Sequence, residues 1–222
     1  MKSQDIGLML KLICLQRQEN RLKTKPLQGR APKVETWWDW EISEESSVGA
    51  MDLTPTAGIE DWFIERYSVR ALAVETGISK SQVSLSLREM VAVGLIKRDR
   101  KLNVPRTNVK ALSEFIIYGL RYVFPAKIGE LTRGIATSIG APVLENKLMG
   151  AGDTVPVWPD AKGKTKGQSV EPLFKTVSYA VRRDSEMYAL LALVDAIRIG
   201  LPRERNFASN MLMSYMDVNN EQ

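Results

Sequence analysis

The sequence predicts a mainly α protein with a small β hairpin, in which a pair of short helices precedes a helical, loop-rich C-terminal region. Three observations predict this class. Apolar residues repeat at helical spacing in several segments, two short helical segments are separated by a single glycine-containing turn, and a Gly-Leu-Ile run at 94–96 opens an extended, basic piece. At 222 residues the chain has room for one or two small domains.

The first predicted helix covers residues 3–22. Ser3 is a suitable N-cap, and apolar residues follow at the spacing of one helix face: Ile6, Met9, Leu10 and Ile13. We therefore expect this helix to bury a single apolar face. Cys14 lies in the same apolar stretch and is interpreted as a small buried hydrophobic residue.

An irregular insert is predicted from about residue 24 to 58. Proline and glycine recur there without periodicity, and the segment is far longer than an ordinary connection between helices. It also contains Trp37, Trp38 and Trp40, which offer a large apolar area in an acidic setting. Three interpretations stay open: the tryptophans anchor the insert on its own domain, they contact a protein partner or second copy, or the acidic insert shields a basic surface.

Two short helices with clear start and stop signals follow the insert. Ser68 caps a helix over 69–76, and Gly77 supplies the left-handed residue that ends it. Ser79 and Gln82 have the spacing of a capping box, which opens a second helix at once. The predicted buried stripe of that second helix is Val83, Leu87, Met90 and Val91.

A basic hairpin is predicted after the second helix. Gly94 ends the helix, residues 95–98 form a first strand, and the turn-rich segment 99–103 leads to a second strand near 102–104. Four of the five residues from Lys97 to Lys101 are basic. Asp99 is the exception.

The run from Val69 to Ile96 resembles MarR-like and related bacterial winged helix-turn-helix transcription regulators. Its matching parts are an alanine-bearing first helix, the Gly-Ile-Ser turn at 77–79, the Ser-Gln-Val-Ser start of the second helix at 81–84, and the Gly-Leu-Ile lead-in to a wing. The resemblance is limited to residues 3–22 and 68–104. It implies a winged helix-turn-helix DNA-binding domain over residues 1–110, and it leaves 111–222 as a C-terminal helical region for dimerisation or for ligand or partner binding.

The resemblance implies a recognition helix and a basic wing as the DNA-binding elements. In the recognition helix, Gln82 suits a bidentate contact with adenine, and Arg88 suits guanine or a phosphate. The candidate DNA-binding residues are Ser79, Lys80, Ser81, Gln82, Ser84 and Arg88 in the helix and Lys97, Arg98, Arg100 and Lys101 in the wing. The wing cations are expected to contact the flanking backbone or the minor groove.

Charge is strongly segregated along the chain. Residues 1–33 carry a net +6, residues 34–65 carry nine acids and no base, and residues 67–110 again carry a net +6. Two basic blocks separated by an acidic one indicate a polyanion-binding surface interrupted by an insert of different character.

Several classes of protein are excluded by composition. Without histidine and with one cysteine, the chain has no His-based triad, no thiolate zinc cage and no internal disulfide. The sequence therefore predicts no enzyme, no metal site and no cofactor. It contains no signal-peptide pattern and no membrane-spanning apolar run, so we expect a cytoplasmic protein.

The predicted function is sequence-specific binding to double-stranded DNA as a transcription regulator. A homodimer is expected, because one recognition helix reads too few base pairs for useful specificity. The alternative is a protein-interaction module, an adaptor or antitoxin-like partner, that uses the winged helix and the tryptophan insert without reading bases.

The C-terminal region gives fewer signals. Helices are predicted at 111–124, from Asp184 or Ser185 to Ile199 with Gly200 ending the helix, and from Pro202 onward, whereas 125–175 gives no clear element. A structural charge network is expected near Gly200, from Asp195, Arg198, Arg203, Glu204 and Arg205.

Three further C-terminal segments contain residue types that could contact a ligand. The aromatic stretches 118–125 and 157–159 fit either packing against the winged helix or a ligand-pocket wall. The Gly163-Lys164-Thr165 run lacks the glycine spacing of a phosphate loop. The basic segment 162–167 is therefore a solvated turn or an additional nucleic-acid contact.

Overall fold

The structure, a computed structural model, describes residues 1–24, 59–145, 147 and 154–217. Its helices are α1 (Ser3–Thr24), α2 (Ile59–Arg66), α3 (Val69–Thr76), α4 (Lys80–Ala92), α5 (Val109–Glu114), α6 (Leu120–Val123), α7 (Val177–Val181), α8 (Ser185–Ile199) and α9 (Pro202–Met216). Its strands are β1 (Ile96–Arg98), β2 (Pro105–Thr107), β3 (Ile128–Ala136), β4 (Pro156–Pro159) and β5 (Thr165–Val170). The predicted class, mainly helical with a small β component, is confirmed for these residues.

Helix α1 is buried on all sides over its first three turns. Every residue from Asp5 to Leu15 is buried, because α3, α4, β2 and α8 all contact this helix. The expectation of a single apolar face is therefore wrong. The apolar residues Leu8, Leu12 and Leu15 fill the positions between the predicted stripe and complete the buried surface. Cys14 is buried as expected, and burial raises the pKa of its thiol.

The predicted bounds of α3 and α8 and the predicted starts of α4 and α9 are confirmed. Their caps are local signals: Ser68 Oγ accepts from Ala71 N at 3.1 Å, Asp184 Oδ1 accepts from Met187 N at 3.1 Å, and Pro202 opens α9. Residues 111–124 are also helical as predicted, although α5 and α6 are joined by a π-helical turn at Phe115–Gly119.

The second strand of the hairpin begins later than predicted. The sequence placed it near 102–104, but β2 is Pro105–Thr107 and pairs antiparallel with β1, with Lys97 opposite Arg106. The shift arises because Asp99 extends the turn: its Oδ1 accepts from the backbone N–H groups of Lys101 and Leu102, each at 2.8 Å.

The segment 125–175, where the sequence predicts no clear element, contains a small three-stranded sheet. Strand β3 pairs antiparallel with both β4 and β5, and β4 also pairs parallel with β5, so the three strands close on one another. This sheet contributes Ile135, Val157 and Trp158 to the buried residues.

The aromatic stretches of the C-terminal region separate into two roles. Trp158 is buried, and its Nε1 donates to Asp195 Oδ2 at 2.6 Å. Tyr118 and Tyr122 are instead 74% and 75% exposed, so for these two residues the first of the two interpretations, packing against the predicted winged helix, is excluded. The charge network is confirmed in part by the buried Asp195–Arg198 pair at 2.7 Å.

One continuous buried cluster contains residues from both sides of residue 110, from Ile6 to Met216. Helix α8 lies within it and is buried from Met187 to Arg198. Among the described residues, no helix combines the length and the apolar character needed to cross a membrane.

Candidate nucleic-acid interface

The turn between α3 and α4 holds the two helices in a fixed relation. Gly77 has φ 71°, and its N–H donates to Ala73 O at 2.9 Å, which ends α3. Ile78 follows with only 6% of its surface exposed. Ser79 then caps α4, so that one helix ends and the next begins within three residues.

Helix α7 supports this turn from behind. Thr176 Oγ1 donates to Thr76 O at 2.8 Å, and Tyr179 OH donates to Val74 O at 2.9 Å. These bonds satisfy carbonyl groups at the C-terminal end of α3 that have no partner within the helix. The position of the α3–α4 pair is therefore fixed by residues a hundred positions away in the chain.

Helix α4 has one buried face and one accessible face. The buried residues are Val83, Ser86 and Met90, and Leu87 packs partly buried against the same core. Val91, predicted to be buried, is 44% exposed because it lies a further 100° around the helix from Met90. The predicted site residues share the accessible side: Ser79, Lys80, Ser81 and Arg88 are exposed, and Gln82 and Ser84 are partly buried.

Only half of the predicted capping box is present. Ser79 Oγ accepts from Gln82 N at 3.4 Å, but the Gln82 side chain does not return to Ser79. Its Oε1 accepts from Lys2 Nζ at 2.8 Å and from Gln4 Nε2 at 3.1 Å. The first turn of α4 is therefore tied to the start of α1, and Lys2 adds a positive charge beside it.

The hairpin presents its predicted cations at the surface. Lys97, Arg98, Arg100 and Lys101 are all exposed. They do not share one face, because side chains alternate along a strand: Lys97 lies on the side of its cross-strand partner Arg106, and Arg98 lies on the other. Arg98 Nη1 also donates to Asn103 O at 3.1 Å, which holds it close to the turn.

The single carboxylate of the hairpin turn has a structural role. The backbone N–H of Leu102, with that of Lys101, donates to Asp99 and holds the pKa of its carboxyl below the usual value. Asn103 has φ 54°, a left-handed conformation that asparagine tolerates and that completes the turn. Asp99 thus shapes the turn that presents the cations.

A buried cluster joins the hairpin to α1. Arg106 Nη2 lies 2.7 Å from Glu19 Oε2, and Tyr67 OH donates to the same oxygen at 3.1 Å. Although burial acts in the opposite direction, hydrogen bonds from Lys23 and Arg106 hold the pKa of Glu19 below its usual value. Burial raises the pKa of Tyr67. This cluster fixes the hairpin against the helical core.

An open groove of about 580 Å³ lies beside the hairpin, where α5 begins and α9 ends. Its lining includes Lys97, Arg106 and Lys110, together with Met213 and Asp217 from the end of α9. The described residues contain no cluster of three or more acidic or cysteine side chains that could hold a metal ion.

Sequence reasoning missed Lys2, Arg106 and the support from α7. Their contacts with this region join residues 39 to 105 positions apart, and no local sequence pattern predicts such pairs. Trp37, Trp38, Trp40 and the acidic insert lie outside the described residues.

In comparisons with known proteins, no protein-family model, no curated protein and no solved structure matches this chain.

Proposed function

We propose that the chain is a transcription regulator of the winged helix-turn-helix type that binds double-stranded DNA sequence-specifically. In this proposal α4 is the recognition helix and the β1–β2 hairpin is the wing. The observation that carries it is the capped α3–Gly77–α4 arrangement followed directly by a cationic hairpin, with polar and basic side chains on the accessible side of α4.

The residues divide into two roles. On α4, Gln82, Arg88 and the serines at 79, 81 and 84 are of the types that read base edges in the major groove, and Lys80 stands beside them. In the hairpin, Lys97, Arg98, Arg100 and Lys101 supply positive charge for phosphates. We further propose that the chain acts as a homodimer, which doubles the number of base pairs read.

The test is a salt titration of DNA binding by fluorescence anisotropy, on a duplex selected from a random library by the wild-type chain. Four hairpin phosphate contacts predict that log K falls against log salt with a slope of about −3.6 or steeper, and Arg100→Ala should flatten it by about 0.9. Arg203→Ala is the matched control, since this exposed arginine belongs to α9, which contacts α8 and α5. No binding at low salt, or a flat salt response, refutes the proposal.

The second candidate is a protein-interaction module that does not read bases. It is favoured by apolar side chains exposed around the same helices, among them Val74 at 56% and Val93 at 64%. Charge reversal of Lys97 and Arg98 separates the two functions: it should abolish DNA binding by a regulator and leave partner binding by an adaptor intact. Trp37→Ala with Trp38→Ala should have the opposite effect.

A further inference from the structure

A second basic surface lies on the C-terminal half of the chain, outside the proposed recognition helix and wing. Its six cations are all exposed and come from β3, the β4–β5 loop, β5 and the turns on either side of α7: Arg133, Lys162, Lys164, Lys166, Lys175 and Arg183. Residues 160–183 contain six bases and two acids, Asp160 and Glu171, for a net charge of +4. We call the six exposed cations, from Arg133 to Arg183, the loop–α7 surface.

The β4–β5 loop holds its cations in a defined geometry. Asp160 N donates to Arg133 O at 3.1 Å, and Asp160 Oδ1 accepts from Lys162 N at 2.8 Å. Arg133 Nε donates to Gly163 O at 2.6 Å, which fastens the loop to β3. Because the loop is already fixed in the unbound protein, binding an anion there loses little conformational entropy.

The charges on this surface repel one another across the sheet. Arg133 and Lys166 are directly opposite in the β3–β5 ladder, a placement of like charges that destabilises a sheet. Lys164, Lys166 and Lys175 form no ion pair with the described part of the chain. An anion with several negative charges at regular spacing would relieve this repulsion.

Contacts connect the loop–α7 surface to the α3–α4 turn. Arg182 pairs with Asp160 and so links α7 to the loop. Arg183 lies over the ring of Tyr179, with its Cζ 3.6 Å from the ring centroid, and Tyr179 bonds Val74 of α3. The surface thus borders the turn that precedes α4, whereas the hairpin follows the other end of α4.

We propose that the loop–α7 surface binds the phosphate backbone of the same DNA duplex, beside the base pairs that α4 reads. This inference rests on the proposed function. Cations then flank α4 at both ends, the hairpin at its C-terminal end and the loop–α7 surface at its N-terminal end. Phosphate contacts here add affinity and fix register without reading bases.

The test compares two duplexes that share the selected core site. One is trimmed to the core, and the other extends it by about one helical turn, roughly 10 base pairs, on each side. For the variant Lys164→Ala with Lys166→Ala, the slope of log K against log salt on the extended duplex should become about 1.8 less negative. The base preference should stay unchanged. On the trimmed duplex the same variant should bind like the wild type.

Lys127→Ala is the matched control, because Lys127 is exposed just before β3, at the end of the strand opposite Arg133. It removes one charge and should leave both slopes unchanged. If the double variant keeps the wild-type salt slope while Arg100→Ala makes the slope shallower, the proposal that the loop–α7 surface binds DNA is wrong. The proposed function is not affected by that result. If the double variant makes the salt slope shallower by the same amount on both duplexes, the loop–α7 surface does not bind beside the core site. Absence of wild-type binding refutes the proposed function itself.

Discussion

Gln82 has competing uses in this structure. Its Oε1 already accepts from Lys2 Nζ and Gln4 Nε2, whereas a bidentate contact with adenine needs both its oxygen and its amide nitrogen. Reading a base therefore requires that the α1 contacts be released or rearranged on DNA binding. Lys2 would then be freed beside the duplex, where its charge suits a phosphate.

Substitution of Gln82 by alanine should change the sequence preference of the chain at one position. We expect a loss of about 1–3 kcal/mol at the base pair that Gln82 contacts and little change elsewhere. The measurement is competition binding with duplexes substituted at each position in turn. Gln4→Ala is the control, since it removes one bond to the same oxygen but keeps the Gln82 amide. If both variants keep the wild-type preference, Gln82 serves only to tie α4 to α1.

At the scale of elements, the sequence predicted those features that local chemistry determines. Ser68 and Ser79 placed the starts of α3 and α4, because their capping bonds join residues three positions apart. Strands β3–β5 were not predicted, because they are rich in glycine and proline and pair residues that are far apart in the chain. Ile128, for example, pairs with Val170, 42 positions away. The exposed residues of α4 and the hairpin were predictable for the same local reason, whereas the supporting contacts from α1 and α7 were not.

A glycine comparison tests the support that α7 gives to the α3–α4 turn. Gly77 and Gly94 both have positive φ, 71° and 78°, so alanine at either site costs about 1–2 kcal/mol of left-handed strain. A Cβ at Gly77 would also lie 2.9 Å from Tyr179 Cδ1, whereas one at Gly94 meets nothing within 4 Å. Urea unfolding should show a larger loss of unfolding free energy for Gly77→Ala than for Gly94→Ala. Equal losses would mean that α7 does not restrain the turn.

At the scale of the whole molecule, a buried charge cluster connects elements from both sides of residue 110. Lys11 of α1 is 1% exposed, and its Nζ lies 2.7 Å from Asp184, the N-cap of α8, and also pairs with Glu75 of α3. Burial opposes both charges, yet attraction to Asp184 and Glu75 raises the pKa of Lys11, and attraction to Lys11 lowers the pKa of Asp184. The division into domains 1–110 and 111–222 stays a prediction that this cluster allows us to test.

Lys11→Met should lower the unfolding free energy by about 3–5 kcal/mol, because it leaves the Asp184 charge buried without its partner. In the wild type the lowered pKa of Asp184 stabilises the fold above its unfolded pKa of about 3.9, and this contribution is lost as pH falls. In the variant, burial should raise that pKa, so acidification from neutral pH should narrow the difference in stability between the two proteins. Adding Asp184→Asn, which keeps an oxygen to cap α8, should remove much of this pH dependence.

Urea unfolding followed by far-UV circular dichroism and by tryptophan fluorescence should give coincident transitions that shift together. If Lys11→Met shifts only one of two separate transitions, the cluster does not couple the two regions, and they unfold as independent domains.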